Sequence, residues 1–415
     1  MLDVMTQLHR YADAAEAAVP EHGPGTKDPR RSRTALLAAA AAVLVVGAAA
    51  TVVILRRDEH HAPVRTGSDQ TVEPELWETL PPPPIGPFTA DSVTYVATDT
   101  ELIVLGVDSG AAFSFADRTW RPITPSPLTT RSGPVSTWTG REMLVWGGET
   151  TTGTATDGAA YDPETDTWRM LPTAGVAARK ATTGTAWTGK EWVLGGIEGQ
   201  PPNGETTDTV ALDPESGVWR SLPPSPLGSQ MTAQQIPRRV AAVWTDREVL
   251  VASISDALPV AVDRLRLDDG AASWGSAVGI AVDGPETDPS GVVWTGDHLL
   301  VLDRSGRGIA FDSSGEVDPN TNNSTLIPPS AAQPGQSWLG PVVVGHIVTV
   351  GGRWLDLRDL TWHDTLPDPG PPRASPIAVA HGGLVYVFGG DACDDIAGCP
   401  APVDPGNGLV WTPPG

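Results

Sequence analysis

Arginine and histidine are the first residue types in this 415-residue chain to weigh as contacts for a ligand or a metal. Arg131, Arg179, Arg238, Arg239 and Arg373 each stand shortly before a hydrophobic run. A guanidinium offers a planar fork of donors that matches carboxylate or phosphate. With 50 acidic side chains against 27 basic ones and a formal charge of −23, such arginines stand out. Their alternative role is pairing with neighbouring Asp or Glu, or packing along indole rings. His60, His61, His298, His346, His363 and His381 are dispersed, and a metal needs converging partners, so no metal site is assigned. Asp318-Pro319-Asn320-Thr321-Asn322 opens like a calcium loop, yet Asn323 and Pro329 occupy the places of the required Gly and bidentate Glu. A nucleophile elbow, a zinc-protease helix motif and a phosphate-cradling glycine loop are all missing, so the sequence nominates no catalytic residue and no cofactor. The acidity also argues against nucleic acid as a partner, because no basic face is left to displace counterions.

The elements that position these residues come from repetition. Gly (45) and Pro (41) are abundant, which suits a turn-rich all-β chain better than a helical bundle. VSTWTGREMLVWGG (135–148) returns as GTAWTGKEWVLGG (184–196), AAVWTDREVLVAS (241–253) and GVVWTGDHLLVLD (291–303). Weaker copies begin at 95, 341 and 378. Each reads as two β runs joined by a tight polar turn, a hairpin. A second phrase follows every hairpin, as in GAAYDPETDTWRMLP (158–172) and TVALDPESGVWRSLP (209–223), and supplies a third strand, a turn and a fourth strand bearing Trp. Four strands per repeat at this spacing make a propeller blade. The last repeat ends on a third strand, GLVWT, while LWETL near residue 76 reads as a fourth strand without a blade. The expectation is an all-β, seven-bladed β-propeller of four-stranded blades over 75–415, closed by that N-terminal strand.

Gly-Gly after the second strand, an aromatic third strand and Trp on the fourth resemble the kelch repeat, over residues 75–415. Two repeats depart from the Gly pair, with Ala252-Ser253 and Leu302-Asp303. The same propeller type resembles the catalytic domain of galactose oxidase, whose copper site needs two Tyr, two His and a Tyr–Cys crosslink. Beyond residue 55 this chain has only Tyr95, Tyr161 and Tyr386, and both cysteines share one segment, so the oxidase is not expected.

Placement rests on residues 34–55, 22 positions without a charge, long enough to cross a bilayer. Four basic residues precede the run and three follow it, favouring the N-terminus inside. The rival reading is a cleaved signal peptide with Ala48-Ala49-Ala50 at its end; a leading polar stretch of 33 residues speaks for an anchor. Residues 1–33 are then a cytoplasmic tail with a short amphipathic helix or a frayed end. Residues 56–74 are an extracytoplasmic tether. Cys393 and Cys399, close together in an exported loop, are expected to form a disulfide, with free thiols as the alternative.

Strand alternation puts the loops joining blades and the loops joining strands two and three on one face, so the five arginines are expected around its channel mouth. The leading functional reading is a membrane-anchored module at the cell envelope that binds a protein, peptide or glycan. The second is an exported glycan hydrolase or lyase using acidic loop residues. Trp, at 15 against 4 Tyr and 5 Phe, is assigned mostly to packing between blades, with Trp192 and Trp338 left as surface candidates.

Overall fold

A computed structural model describes residues 76–90, 92–173, 184–195, 209–223, 239–254, 260–268, 271–275, 278–280, 289–303, 308–312, 324–327, 341–350, 352–364, 373–392 and 406–414. The expected membrane span, the tail and the tether lie outside these residues. Among those described, no helix is long and apolar enough to cross a membrane.

The described chain is all β. Seven four-stranded antiparallel sheets form the blades of a propeller ring. They span 94–122 (blade 1), 135–170, 184–222, 239–274, 289–327, 342–364 and 377–412 (blade 7). In blades 1 to 6 the strand order follows the chain, from an innermost first strand to an outermost fourth. First strands of successive blades pack on one another from blade 1 through blade 7, which places them about the axis. Leu76–Leu80 joins blade 7 as its fourth strand, running antiparallel to Gly408–Thr412 with Leu76 opposite Thr412 and Leu80 opposite Gly408. Blade 4 carries an extra short strand, Val278–Ile280, paired with its third strand.

Burial explains the strand sequences. A second strand has a neighbouring blade on each side, so both of its faces are covered and it reads as an unbroken apolar run. Met143–Trp146 and Trp192–Gly195 are buried at every position. Third strands are equally buried and begin small, as in Gly158-Ala159-Ala160. A Cβ at Gly158 or Gly308 would strike the carbonyl oxygen of Val145 or Val301, on the adjacent second strand. Fourth strands are edges, and Thr167–Met170 is mostly exposed.

Every described fourth-strand Trp is partly buried, and each packs against a cluster shared by two blades. Trp187 and Trp219 cover the apolar cluster between blades 2 and 3, and Trp244 and Trp274 cover the one between blades 3 and 4. The fourth-strand indoles also make a directional bond. Trp120 Nε1 donates to the Pro81 carbonyl (3.2 Å), Trp168 to Thr124 (2.8 Å), Trp219 to Pro172 and Trp274 to Pro223 (both 2.7 Å). In each case the acceptor lies just beyond the fourth strand of the preceding blade. Trp77 stacks on Trp411 of its own blade, ring centroids 6.1 Å apart.

Trp219→Phe keeps a ring in the gap and removes the N–H. It is expected to cost about 1 kcal/mol in equilibrium urea unfolding, against roughly 3–5 kcal/mol for Trp219→Ala.

Candidate functional site

The arginines expected at the channel mouth do not all share one environment. Arg131 is buried in the loop before the first strand of blade 2, its side chain 5% exposed. Its Nη1 donates to the Gly147 carbonyl (3.0 Å) and the Asp157 carboxylate (2.7 Å), and its Nε to the Thr129 carbonyl (2.9 Å). Arg373 occupies the same place in blade 7. It is 2% exposed and donates to the carbonyls of Gly389 (3.2 Å) and Asn407 (2.6 Å). Gly147 and Gly389 each follow a second strand, and Asp157 and Asn407 each precede a third strand. The two arginines therefore fasten the entry loop of a blade to its own strand two-to-three loop. Beside each clamp the two loops also pair as backbone, Ser132 with Glu149 and Ala374 with Asp391. Arg239 starts the first strand of blade 4; its side chain, together with Arg179 and Arg238, lies outside the described residues. Cys393, Cys399, Trp338 and the segment 318–323 are also outside them. Trp192, a surface candidate by sequence, is fully buried, because it opens a second strand and faces the blade 2–3 cluster.

The opposite face, built from the hairpin turns and the turns between strands three and four, holds a cleft of about 760 Å³ between blades 2 and 3. Trp168, Arg141 and Asp162 line its blade 2 side, and Trp187, Lys190 and Asp213 its blade 3 side. Short self-bonded turns hold these groups in place. Thr139 Oγ1 accepts from the Glu142 N–H (2.9 Å) and donates to the Glu142 carbonyl (3.1 Å), and Thr188 does the same with Glu191. Gly140 and Gly189 take left-handed φ of 91° and 87° at these turns, which glycine adopts without steric cost. The cations project from the next position. Arg141 is 80% exposed and 3.7 Å from Asp162. Arg169 is engaged, pairing through two bonds with Glu142 (2.9 and 2.6 Å), which raises its already high pKa. Burial pulls the Asp213 pKa upward, but the N–H groups of Ser216 and Glu215 outweigh it and hold the carboxyl below its ordinary range.

The Arg169–Glu142 pair belongs to a series that motif reading passed over. A Glu at the head of the second strand meets the Arg that follows the fourth-strand Trp: Glu101 with Arg121, Glu142 with Arg169, Glu191 with Arg220. The signal was present as Glu after the hairpin turn and Trp-Arg in the same repeat. Blade 4 has Gly275 after its Trp, and there Arg264 on the third strand supplies the charge to the buried Glu248. Burial opposes that charge, and the bonds from Arg264 overcome it, keeping the Glu248 carboxyl below its usual range.

Between blades 1 and 2 the series widens into a network. Arg121 reaches the Tyr161 hydroxyl (3.3 Å), which donates to Asp166 (2.7 Å), and Asp166 also accepts from the Thr124 N–H and hydroxyl. Burial, then the bond to Asp166, pushes the Tyr161 pKa up to about 12. The Thr124 backbone bond, then Tyr161, lowers that of Asp166. Among the described residues no three His, Cys, Asp or Glu side chains converge as a metal site.

Arg131→Met leaves the Gly147 carbonyl and the Asp157 carboxylate without their donor. The expected loss is about 3 kcal/mol in chemical denaturation. Arg373→Met, in a distant blade, should add to it independently. A folded-state Tyr161 pKa above the ordinary 10.0 means its stabilising contribution is whole below pH 10 and is lost as pH rises through about 12. Tyrosinate absorbance, compared with Tyr161→Phe, should show this late titration; ionisation near pH 10 would contradict it. No family model and no curated protein matches the chain. Among solved structures, one titled "Structure of YjhT" is similar, with 15% identity and a TM-score of 0.46 over 80% of this chain and 95% of that one.

Proposed function

We propose that this chain is a single-pass membrane protein whose kelch-type propeller stands outside the cytoplasm and binds a protein, peptide or glycan of the cell envelope. The charge-free run 34–55 and the polar segment after it support the anchor. The Gly-Gly pairs 147–148 and 389–390, each with positive φ after a second strand, support the kelch assignment. Pairing of Leu76–Leu80 with Gly408–Thr412 supports closure of the ring by the N-terminal strand.

The observation that carries binding is the turn-face cleft between blades 2 and 3. It presents indoles, exposed cations and carboxylates from turns anchored in strands buried on both faces, a rigid display of the kind that binding sites use. Arg131 and Arg373 are occupied by their own loops on the opposite face, so this reading places recognition on Arg141 and Lys190 of the cleft instead.

The detergent-solubilised full chain should co-sediment with purified cell-envelope fragments. Arg141→Ala combined with Lys190→Ala should reduce the bound fraction at least tenfold with the melting temperature unchanged. Sedimentation unaffected by the pair would remove the cleft from this reading. Protease added to intact spheroplasts should digest the propeller and spare residues 1–33; protection of the propeller would overturn the placement.

A further inference from the structure

The cleft between blades 2 and 3 is one member of a series. Blades 2, 3 and 4 carry the same turn on the same face: Trp138-Thr139-Gly140-Arg141-Glu142, Trp187-Thr188-Gly189-Lys190-Glu191 and Trp244-Thr245-Asp246-Arg247-Glu248. In all three the Trp ends the innermost strand and stays half-buried, and the Thr hydroxyl donates to the Glu carbonyl (3.1, 3.1 and 3.0 Å). The cation follows a residue with positive φ, 91°, 87° and 65°, and points outward. Arg141 is 80% and Arg247 60% exposed at the side chain, and Lys190 is exposed. The run stops on both sides. Blade 1 has Ala97 and Thr100 at the Trp and cation positions, and blade 5 keeps Trp294 but has Asp297. Blades 6 and 7 have Val344 and His381 opposite the residues that open their second strands, where the Trp would stand.

We infer that this arc binds a neutral, hydroxyl-rich glycan chain laid across the turns of blades 2 to 4, with the blade 2–3 cleft holding the sugars between the first two turns. This rests on the turn face being the binding surface. Three features select the ligand class. The exposed cations have carboxylates near them: Asp162 is 3.7 Å from Arg141, Asp213 lines the same cleft as Lys190, and Arg247 lies 3.2 Å from Glu248, whose carboxylate is buried and balances the charge from below. Donor and acceptor thus stand side by side with little net charge. A sugar's adjacent hydroxyls both donate and accept and match such a pair, whereas an acidic ligand would meet the carboxylates. Trp187, half-buried against the blade 2–3 cluster, also lines the cleft beside Trp168, and an indole there suits the C–H face of a pyranose. Repetition at equal angular steps fits a polymer of repeating units better than the irregular surface of a folded protein, and linked subsites gain from effective concentration.

The test uses the full chain in detergent and follows tryptophan fluorescence during titration with the hexamer and the dimer of β-1,4-linked N-acetylglucosamine, and with the β-1,4-linked glucose hexamer. Quenching by at least one hexamer is expected, with the N-acetylglucosamine hexamer at least tenfold tighter than its dimer. The Arg141→Ala, Lys190→Ala, Arg247→Ala triple variant should weaken hexamer binding at least tenfold with an unchanged melting temperature. Absence of hexamer binding, equal affinity for hexamer and dimer, or a triple variant that binds normally overturns the inference. Envelope co-sedimentation separates the two readings. Binding that the triple variant loses, and that protease treatment of the envelope abolishes, would make the occupant a protein: the glycan falls and the turn face stands. Envelope binding untouched by the triple variant sinks both.

Discussion

The bond from a fourth-strand indole to a carbonyl of the preceding blade sets the geometry on which the other features depend. Apolar faces hold neighbouring sheets together, but hydrophobic attraction is non-directional and leaves their angular step loosely defined. The Trp120, Trp168, Trp219 and Trp274 bonds remove that freedom, because an N–H···O bond tolerates little change in length or angle. They act on the outermost strand, where a small rotation of one blade gives the largest displacement. A fixed step in turn sets the width of every cleft between adjacent turns, including that between blades 2 and 3.

The architecture was largely legible because each blade repeats the same packing problem. Trp77, Trp120, Trp168, Trp219, Trp274 and Trp362 all fall on fourth strands, and Trp138, Trp187, Trp244 and Trp294 end first strands, as their spacing indicated. The site was less legible because a side chain's partner is not encoded by its distance from a strand. Arg131 and Arg373 stand where a mouth residue would stand, and only coordinates reveal that carbonyls of their own blade take the guanidinium. Blade 4 shows the same limit: Arg264 replaces an arginine missing after Trp274, a substitution between strands that aligned repeats cannot display. Backbone conformation escaped too. Leu360 adopts a left-handed φ of 58° at the turn where blade 3 places Gly217, with no trace in its residue type.

The two faces of the ring divide their arginines by role. On the loop face, Arg131 and Arg373 are buried and donate to backbone oxygen, Arg131 also to the Asp157 carboxylate. On the turn face, Arg121, Arg169 and Arg220 knit strands two and four of their own blades, while Arg141, Lys190 and Arg247 extend past them. A surplus of acid in the whole chain hides this local alternation of sign. Structural pairs keep the turns rigid, so that the residues beyond them are held with little rotamer freedom left to lose on contact.

Leu76–Leu80 finds its strand partner in Gly408–Thr412, at the other extreme of the described chain. A strand synthesised early therefore waits, unpaired, while all of the intervening blades emerge and fold. Its neighbour blade 1 has the same problem, since Phe113 and Leu102 pack against Phe388 and Tyr386 of the last blade. Such sequence-distant contacts slow folding and leave apolar surface uncovered in the meantime. Leu76, still 50% exposed in the finished propeller, and Trp77 are the apolar side chains that this waiting strand leaves uncovered until blade 7 forms.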